Sequence, residues 1–176
     1  MPAGQTGFQV RYSAEPSPGK GMGVFARERI ARGRVVWRHV PGVFAVYDEA
    51  SFGARIASMT PAEVVYELTH VHVLADFPGC LIRALDDGIL VNHAWDPTVV
   101  TSNAGPAGRP PDPGSPRYLQ EVAAALPDDR YSLVATRDLA IGEEFTNDYT
   151  AEDACPAFYD RLYAQYGVQE DYLEEH

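Results

Sequence analysis

Cysteines, long apolar runs and basic residues are all scarce in this 176-residue chain. Its two cysteines, Cys80 and Cys155, are too few for a disulfide framework or a four-thiolate zinc site. No run approaches the ~18 apolar residues of a membrane span, and residues 1–10 lack the basic patch and apolar core of a secretion signal. We therefore expect an intracellular protein without a membrane segment, cytoplasmic or, in a eukaryote, nuclear.

The shortage of basic side chains limits the partners. Lys and Arg number 14 and Asp and Glu number 25, which gives a formal net charge of -11 at pH 7. Such a charge repels phosphate backbones, so we expect no direct nucleic-acid partner. It suits a lysine-rich peptide, although an acidic surplus often serves only solubility. No heptad pattern is visible, and the oligomeric state is left open.

The length and composition predict a single globular domain. The chain is 45% hydrophobic and 22% charged, enough apolar material for one core. We divide it into a loosely held N-terminal lead-in (residues 1–18), a domain (residues 19–150) and a C-terminal segment (residues 151–176). Within the domain, residues 49–70 form a variable insert, and residues 101–117 form a loop rich in proline and glycine.

Short β-branched and aromatic runs, separated by Gly, Pro and Asp turns, predict successive β-strands. They cover residues 24–26, 35–37, 43–47, 71–74, 80–82, 89–91, 131–136 and 144–146. Thr60 is a good N-cap, and with Pro61 and Glu63 after it we predict a short helix. Apolar spacing predicts another helix over residues 157–166, whereas residues 118–126 fit a helix or a strand. The prediction is a mainly β chain with a few short helices.

Two segments that are far apart in the sequence share a short pattern. Residues 29–35 and 137–143 share an apolar residue, a turn and a glycine at the same spacing. We predict a strand, a tight turn and a strand at each. The rest of the chain does not repeat at that period, so a solenoid or propeller is not indicated.

Three segments carry the chemical signal when they are taken together and in order. They are residues 19–26 (GKGMGVFA), 91–97 (VNHAWDP) and 135–149 (ATRDLAIGEEFTNDY). The first has no strand before it and no helical pattern after it, so dinucleotide-binding and P-loop interpretations fail. Alone, it is an ordinary turn or a loop whose backbone approaches a ligand. The ordered trio closely resembles the signature segments of SET-domain lysine methyltransferases.

This resemblance implies a fold and a cofactor. The fold is the SET-domain (β-clip) arrangement of several small sheets with short helices and a C-terminal pseudoknot, and the cofactor is S-adenosylmethionine. The resemblance assigns to the cofactor the residues Lys20, Gly21, Met22, Gly23, Asn92 and His93. Backbone groups of the glycine segment would hold its methionine part, Asn92 would bind its amino-acid end, and His93 would contact adenine through main chain.

The resemblance also places Tyr149 beside the methyl-transfer channel as the catalytic residue. A lysine amine, with an ordinary pKa of about 10.4, must lose its proton before it attacks, and a tyrosine hydroxyl can orient it. Many relatives close the cofactor pocket with a zinc-binding cysteine cluster, which this sequence lacks. Phe158 is assigned instead to pack against adenine, with Tyr159 or Tyr163 as alternatives.

Several positions depart from the family pattern. They are Ala94 and Trp95 in the second segment, Thr98 directly after it, and Asn147 in the third, where an aromatic or bulky apolar residue usually shapes the channel. The second channel tyrosine has no clear match, and Tyr66, His70 or His72 could occupy its neighbourhood. No carboxylate or thiolate spacing supports a metal site at the histidines.

The sequence therefore predicts an S-adenosylmethionine-dependent methyltransferase that acts on a lysine amine of a protein or peptide. One alternative is a SET-like module that binds cofactor or peptide without methyl transfer. Another is a SET fold recruited for a small-molecule reaction, which predicts a pocket wider than a lysine stem because Asn147 leaves room.

Overall fold

A computed structural model describes residues 5–102, 110–149 and 155–168. These residues form nine strands, four α-helices and two short 3₁₀ turns. The strands are β1 (Tyr12–Ser17), β2 (Gly21–Ala26), β3 (Val35–Trp37), β4 (Phe44–Tyr47), β5 (Leu81–Ala84), β6 (Asn92–His93), β7 (Val99–Thr101), β8 (Leu133–Ala135) and β9 (Glu144–Asn147). The helices are α1 (Glu49–Ile56), α2 (Pro61–Leu68), α3 (Tyr118–Ala125) and α4 (Ala157–Tyr166). The mainly β prediction is confirmed.

The strands form three small sheets. Their orders are β1-β2-β9-β6, β3-β8-β7 and β4-β5. All neighbours are antiparallel except β6 and β9, which run parallel and pair Asn92 with Thr146 and His93 with Asn147. That parallel contact brings the C-terminal part of the domain against the segment around residue 92.

The two similar segments, residues 29–35 and 137–143, are paired with each other in an approximately two-fold arrangement. Ile30 and Leu139 exchange backbone hydrogen bonds of 3.0 and 2.8 Å. The Gly33 amide donates to the Ala135 carbonyl, and the Gly142 amide donates to the Ala26 carbonyl, each at 2.8 Å. Both glycines have positive φ, 79° and 89°, which explains why each turn uses glycine. The two turns are thus joined to each other and hold the first two sheets together.

Three apolar clusters stabilise these layers. The first fills the space between the two larger sheets and includes Val24, Ile30 and Phe145, all at most 1% exposed. The second lies where α1 and α2 pack on α4. The third packs α3 on the two-stranded sheet. The helices therefore cover the small sheet, while the larger sheets carry the signature segments.

The two helices predicted from the sequence are present. Thr60 and Glu63 form the expected capping box of α2, with Pro61 at its start. Asp48 caps α1 in the same way, so the insert over residues 49–70 contains two short helices. Residues 118–126, which the sequence left open, form α3, and α4 spans the predicted residues.

Three predictions need correction. Residues 89–91 are not a strand: the Asp86 carboxylate accepts the Gly88 amide at 3.0 Å and starts a 3₁₀ turn over Asp87–Leu90. Residues 71–74 contain only an isolated bridge between His72 and Ile82. Residues 12–17 are not loosely held, because β1 pairs with β2 along its whole length. Of the predicted loop, residues 103–109 lie outside the described part of the chain.

Candidate active site

The Asn92 side chain stands where the three signature segments meet. Its Nδ2 donates to the Met22 carbonyl at 3.0 Å and to Glu144 Oε1 at 2.7 Å. Because an amide nitrogen has two protons, both donors are used. The carbonyl oxygen Oδ1 keeps its acceptor capacity for a ligand, and the two acceptors fix the orientation of the amide.

Glu144 is a functional candidate that the sequence analysis missed. Its second oxygen accepts the Ser17 hydroxyl at 2.9 Å, so the carboxylate connects β1, Asn92 and β9. Gly23 is required beside it: a Cβ there would collide with Glu144 Oε1 and come within 3.0 Å of Asn92 Nδ2. The only sequence signal was the position of Glu144 inside the third segment.

The glycine segment lies against the second segment. Lys20 Nζ donates to the His93 carbonyl at 2.7 Å, while Gly21 turns the backbone with a φ of 79°. Met22 is 43% exposed and presents its main chain toward Asn92. The structure therefore brings Lys20, Gly21, Met22, Gly23, Asn92 and His93 into one group. Their assignment to the cofactor remains a prediction.

Tyr149 is anchored to the same group by two contacts. Its amide donates to His93 Nδ1 at 3.2 Å, which places the imidazole proton on Nε2. Its hydroxyl donates a short hydrogen bond to the Val91 carbonyl. Both contacts hold the tyrosine against the second segment.

A cavity of about 330 Å³ opens beside Tyr149. It is walled mainly by aromatic, imidazole and aliphatic side chains, and its described lining residues include no Asp, Glu, Lys or Arg. Among them are Trp37, His39, His70, His72, Tyr131, Asn147, Tyr149, Cys155, Tyr159 and Tyr163. Tyr66, one candidate for the second channel tyrosine, does not line it and is 45% exposed, whereas His70 and His72 do.

Two of these imidazoles are uncharged at neutral pH. Burial lowers the pKa of His39 to about 3, and the nearby His72 adds to the shift. Burial lowers the pKa of His72 to about 4. His72 is partly exposed, and it lines the cavity. Burial raises the pKa of Tyr131 to about 12, with help from its hydrogen bond to Asp76. The described part of the cavity wall is therefore polar in places but without net charge.

The C-terminal helix reaches the cavity with Tyr159 and Tyr163, while Phe158 faces elsewhere. Phe158 is 6% exposed and packs in the apolar cluster with Phe52 and Ile56. No described contact brings it to Asn92 or to the glycine segment, so its assigned contact with adenine stays a prediction. The helix is anchored by the Tyr159 hydroxyl, which donates to the Leu68 carbonyl at 2.8 Å.

The fold accommodates the departures at Ala94 and Thr98. Thr98 Oγ1 donates to the Glu144 carbonyl and accepts the Thr146 amide, each at 2.8 Å. The Ala94 amide donates to the Asn147 carbonyl at 3.0 Å. Both residues thus support β9 rather than disturb it.

Across the described residues, no group of three or more His, Cys, Asp or Glu could hold a metal ion, and no helix is long and apolar enough to cross a membrane.

Comparison with known proteins identifies this architecture. The sequence profile of the SET domain matches residues 21–150, which is most of the chain. The chain belongs to the SET-domain family. No curated protein sequence gives a significant match.

Solved SET-domain structures share the fold at low sequence identity. The Neurospora SET-domain protein DIM-5, a histone lysine methyltransferase, is 21% identical over 81% of this chain and 53% of its own, with a TM-score of 0.52. The methyltransferase domain of human histone-lysine N-methyltransferase SETMAR is 18% identical over 81% of this chain and 45% of its own, with a TM-score of 0.51. The chain thus spans about half the length of these two proteins.

Proposed function

We propose that this SET-domain protein is an S-adenosylmethionine-dependent methyltransferase whose acceptor is a lysine amine of a protein. The observation that carries the proposal is the position of Tyr149. It lies between a polar group built on Asn92 and a cavity whose described wall is uncharged. Methyl transfer needs the cofactor on one side of the reacting methyl group and the methyl acceptor on the other.

The residues on the polar side fit the amino-acid end of the cofactor. Asn92 Oδ1 keeps acceptor capacity for an ammonium group, and the Glu144 carboxylate next to it favours positive charge. Gly23 lets Glu144 and Asn92 pack against the backbone of the glycine segment, because a Cβ there would collide with Glu144 Oε1. When bound, the cofactor supplies an electrophilic methyl group on a sulfonium.

On the cavity side, the protein would favour the neutral form of the lysine amine and align its nitrogen. A lysine ammonium entering a cavity whose described wall has no carboxylate loses hydration that this wall does not replace, so its pKa falls and the neutral amine is favoured. The Tyr149 oxygen, whose proton is directed to the Val91 carbonyl, can accept an amine N–H and align the nitrogen. The acidic chain, with its formal charge of -11, suits a lysine-rich partner. The proposal includes a cytoplasmic location, or a nuclear one in a eukaryote.

The first test combines calorimetry with labelled methyl transfer. We expect S-adenosylmethionine to bind the wild-type protein in the micromolar range. Tyr149→Phe should keep that binding and lower methyl transfer by at least about a hundredfold, because alignment and proton positioning each contribute a large factor. Tyr66→Phe, an exposed tyrosine outside the cavity, is the control and should transfer normally. Transfer at the wild-type rate by Tyr149→Phe would contradict the assignment.

One observation favours a second candidate function. A cavity of about 330 Å³ falls within the range of small-molecule sites, roughly 300–1,000 Å³, and Asn147 lines it where a bulky residue would narrow it. A small-molecule amine is therefore the alternative acceptor. Labelled methyl recovered in the filtrate of a host extract, and not on protein, would support this candidate over the lysine acceptor.

A further inference from the structure

Exposed apolar side chains gather around His93. Of the five large apolar side chains exposed in the described part of the chain, three lie here: Met22, Trp95 and Tyr149. The Met22 carbonyl accepts the Asn92 amide, and the centroids of the Trp95 and Tyr149 rings lie 4.8 and 5.5 Å from that of His93. Single exposed apolar residues are ordinary, whereas a group of them at one place marks a surface that binds something. Methyl transfer as proposed uses Tyr149 and the main chain of Met22 but gives Trp95 no role.

The Trp95 indole is held in place while much of its surface stays open. Its ring meets the His93 imidazole at an interplanar angle of 87°, so this contact covers at most one face of the indole. His93 is itself fixed, because its Nδ1 accepts the Tyr149 amide at 3.2 Å and its carbonyl accepts Lys20 Nζ at 2.7 Å. Trp95 nevertheless remains 42% exposed. A rigid aromatic ring is thus presented at the surface before any ligand binds.

Trp95 lies close along the chain to the polar group built on Asn92. It follows Asn92 by three positions, and three residues of extended chain span at most about 10 Å. A nucleoside joined to an amino acid can bridge that distance. With its amino-acid end at Asn92 Oδ1 and Glu144, such a ligand has its purine within reach of the surface around His93 and Trp95.

The other aromatic rings considered for adenine are engaged elsewhere. Phe158 is buried in the apolar cluster with the insert helices, and Tyr159 and Tyr163 belong to that cluster and line the cavity. Trp95 is an exposed ring directly beside His93, whose main chain is assigned to adenine. Indole and purine are both flat π-systems, and a base stacked on an aromatic side chain contributes roughly a five- to hundredfold gain in affinity.

We propose that the indole of Trp95 stacks on the adenine ring of the cofactor and is a specificity-determining residue for its purine. The inference rests on the proposed function for the identity of the cofactor. Asn92 and Trp95 then recognise opposite ends of one ligand, the amino-acid end and the purine end. Their contributions to affinity should therefore be separable with a ligand that has only one of these ends.

The first measurement uses intrinsic fluorescence with adenosine as the purine probe. The chain has two tryptophans, and Trp37 is 3% exposed and donates its Nε1–H to Asp86 at 3.1 Å. Acrylamide should therefore quench mainly Trp95. We expect S-adenosylmethionine and adenosine to lower the Trp95 emission and to protect it from acrylamide, whereas methionine should do neither. Trp95→Phe gives the emission of Trp37 alone, which is subtracted.

Variants separate stacking from a general loss of structure. By calorimetry, Trp95→Leu should weaken the binding of S-adenosylmethionine and of adenosine at least about fivefold each, while Trp95→Phe, which keeps a ring, should retain part of it. Asn92→Ala should weaken the binding of S-adenosylmethionine but leave that of adenosine unchanged. Damage to the fold would instead weaken both ligands in both variants. Tyr66→Leu, which removes a similarly exposed ring on α2, is the matched control and should bind both normally.

Wild-type affinity for both ligands in Trp95→Leu, or Trp95 emission that does not respond to saturating cofactor, would overturn the inference. The outcomes also separate it from the proposed function. Adenosine that binds through Trp95 to a protein that neither binds S-adenosylmethionine nor transfers methyl refutes only the proposed function. Cofactor binding and methyl transfer with an unchanged cofactor Kd in Trp95→Leu refute only the inference, and binding of neither ligand overturns both.

Discussion

At the scale of single residues, the polar side of the site depends on how one amide is oriented. The two protons of Asn92 Nδ2 go to the Met22 carbonyl and to Glu144, and this choice leaves Oδ1 as the acceptor for a ligand. Without the Glu144 carboxylate, the amide could turn over and present its donors instead. Glu144 is therefore expected to act through Asn92, as a positioning residue.

Glu144→Gln tests that role. A glutamine places an NH₂ group against Asn92 or Ser17 and removes a charge-assisted hydrogen bond, a change of about 1.5–3 kcal/mol. We expect the Kd for S-adenosylmethionine to rise about ten- to a hundredfold by calorimetry. The neighbouring Glu143→Gln is the control, because the Glu143 carboxylate contacts Arg137 and the Ala140 amide at the surface and has no described contact with Asn92. Equal affinities in the two variants would remove Glu144 from the site.

At the scale of elements, the C-terminal helix depends on the insert helix for its position. The Tyr159 hydroxyl donates to the carbonyl of Leu68, the last residue of α2, and lies 2.8 Å from the Tyr163 hydroxyl. These contacts and the shared apolar cluster hold α4 against α2. Because Tyr159 and Tyr163 line the cavity, the insert indirectly shapes it.

Tyr159→Phe should loosen this attachment. Losing the hydrogen bond leaves the Leu68 carbonyl poorly satisfied, so we expect a stability loss of about 1–3 kcal/mol in urea unfolding. Amide exchange should accelerate most in α4 and at the end of α2. Tyr166→Phe is the control, since its ring packs in the same cluster but its hydroxyl has no hydrogen bond among the described residues. A uniform increase in exchange over the whole chain would argue against a local anchor.

A buried ion cluster joins α1, α2 and β5. Glu67, 5% exposed, receives two hydrogen bonds from Arg55, at 2.7 and 2.9 Å, and Arg83 Nε lies 2.9 Å from the same carboxylate. Burial raises the pKa of Glu67, but the Arg55 hydrogen bonds and the Arg83 charge outweigh it, so the pKa lies below its ordinary 4.5. A carboxylate with a lowered pKa stabilises the fold above its ordinary pKa and loses that effect as the pH falls.

Glu67→Gln should therefore destabilise the protein most at neutral pH. We expect about 3 kcal/mol at pH 7, because two partly buried guanidinium groups lose their buried counter-charge. The difference from wild type should shrink as the pH falls below about 4.5, in denaturant titrations at a series of pH values. Glu63→Gln in the same helix is the control: glutamine preserves a capping box, and the change should be small at every pH. A difference that does not vary with pH would contradict the ionic explanation.

At the scale of the whole molecule, the site joins parts of the chain that are far apart in sequence. Ser17 and the glycine segment come from β1 and β2, Asn92 from β6, and Glu144 from β9. A ligand that contacts all of them binds only the folded chain. Cofactor binding and global stability should consequently be coupled.

This coupling predicts a thermal shift. At a hundredfold excess over its Kd, S-adenosylmethionine should stabilise the fold by about 2.7 kcal/mol, which corresponds to roughly 5–10 °C in Tm. Asn92→Ala should show a much smaller shift at the same concentration. A comparable shift with Asn92→Ala would mean that the ligand binds elsewhere.

The sequence alone determined the features that depend on local chemistry. Thr60, Pro61 and Glu63 specify the start of α2 because capping is a short-range interaction. Gly33 and Gly142 specify two turns because their positive φ suits glycine. The ordered trio of segments was specific enough to indicate the family, and through it most of the residues that meet around Asn92.

Tertiary structure decided the features that depend on long-range partners. The segment at Ile89 looked like a strand, but the Asp86 side chain turned it into a 3₁₀ helix. Residues 12–17 became a strand because β2 lies beside them, and residues 118–126 became a helix because they pack on the small sheet. Glu144 emerged as a site residue only after distant elements were brought together, because burial and hydrogen-bond geometry have no counterpart in residue spacing.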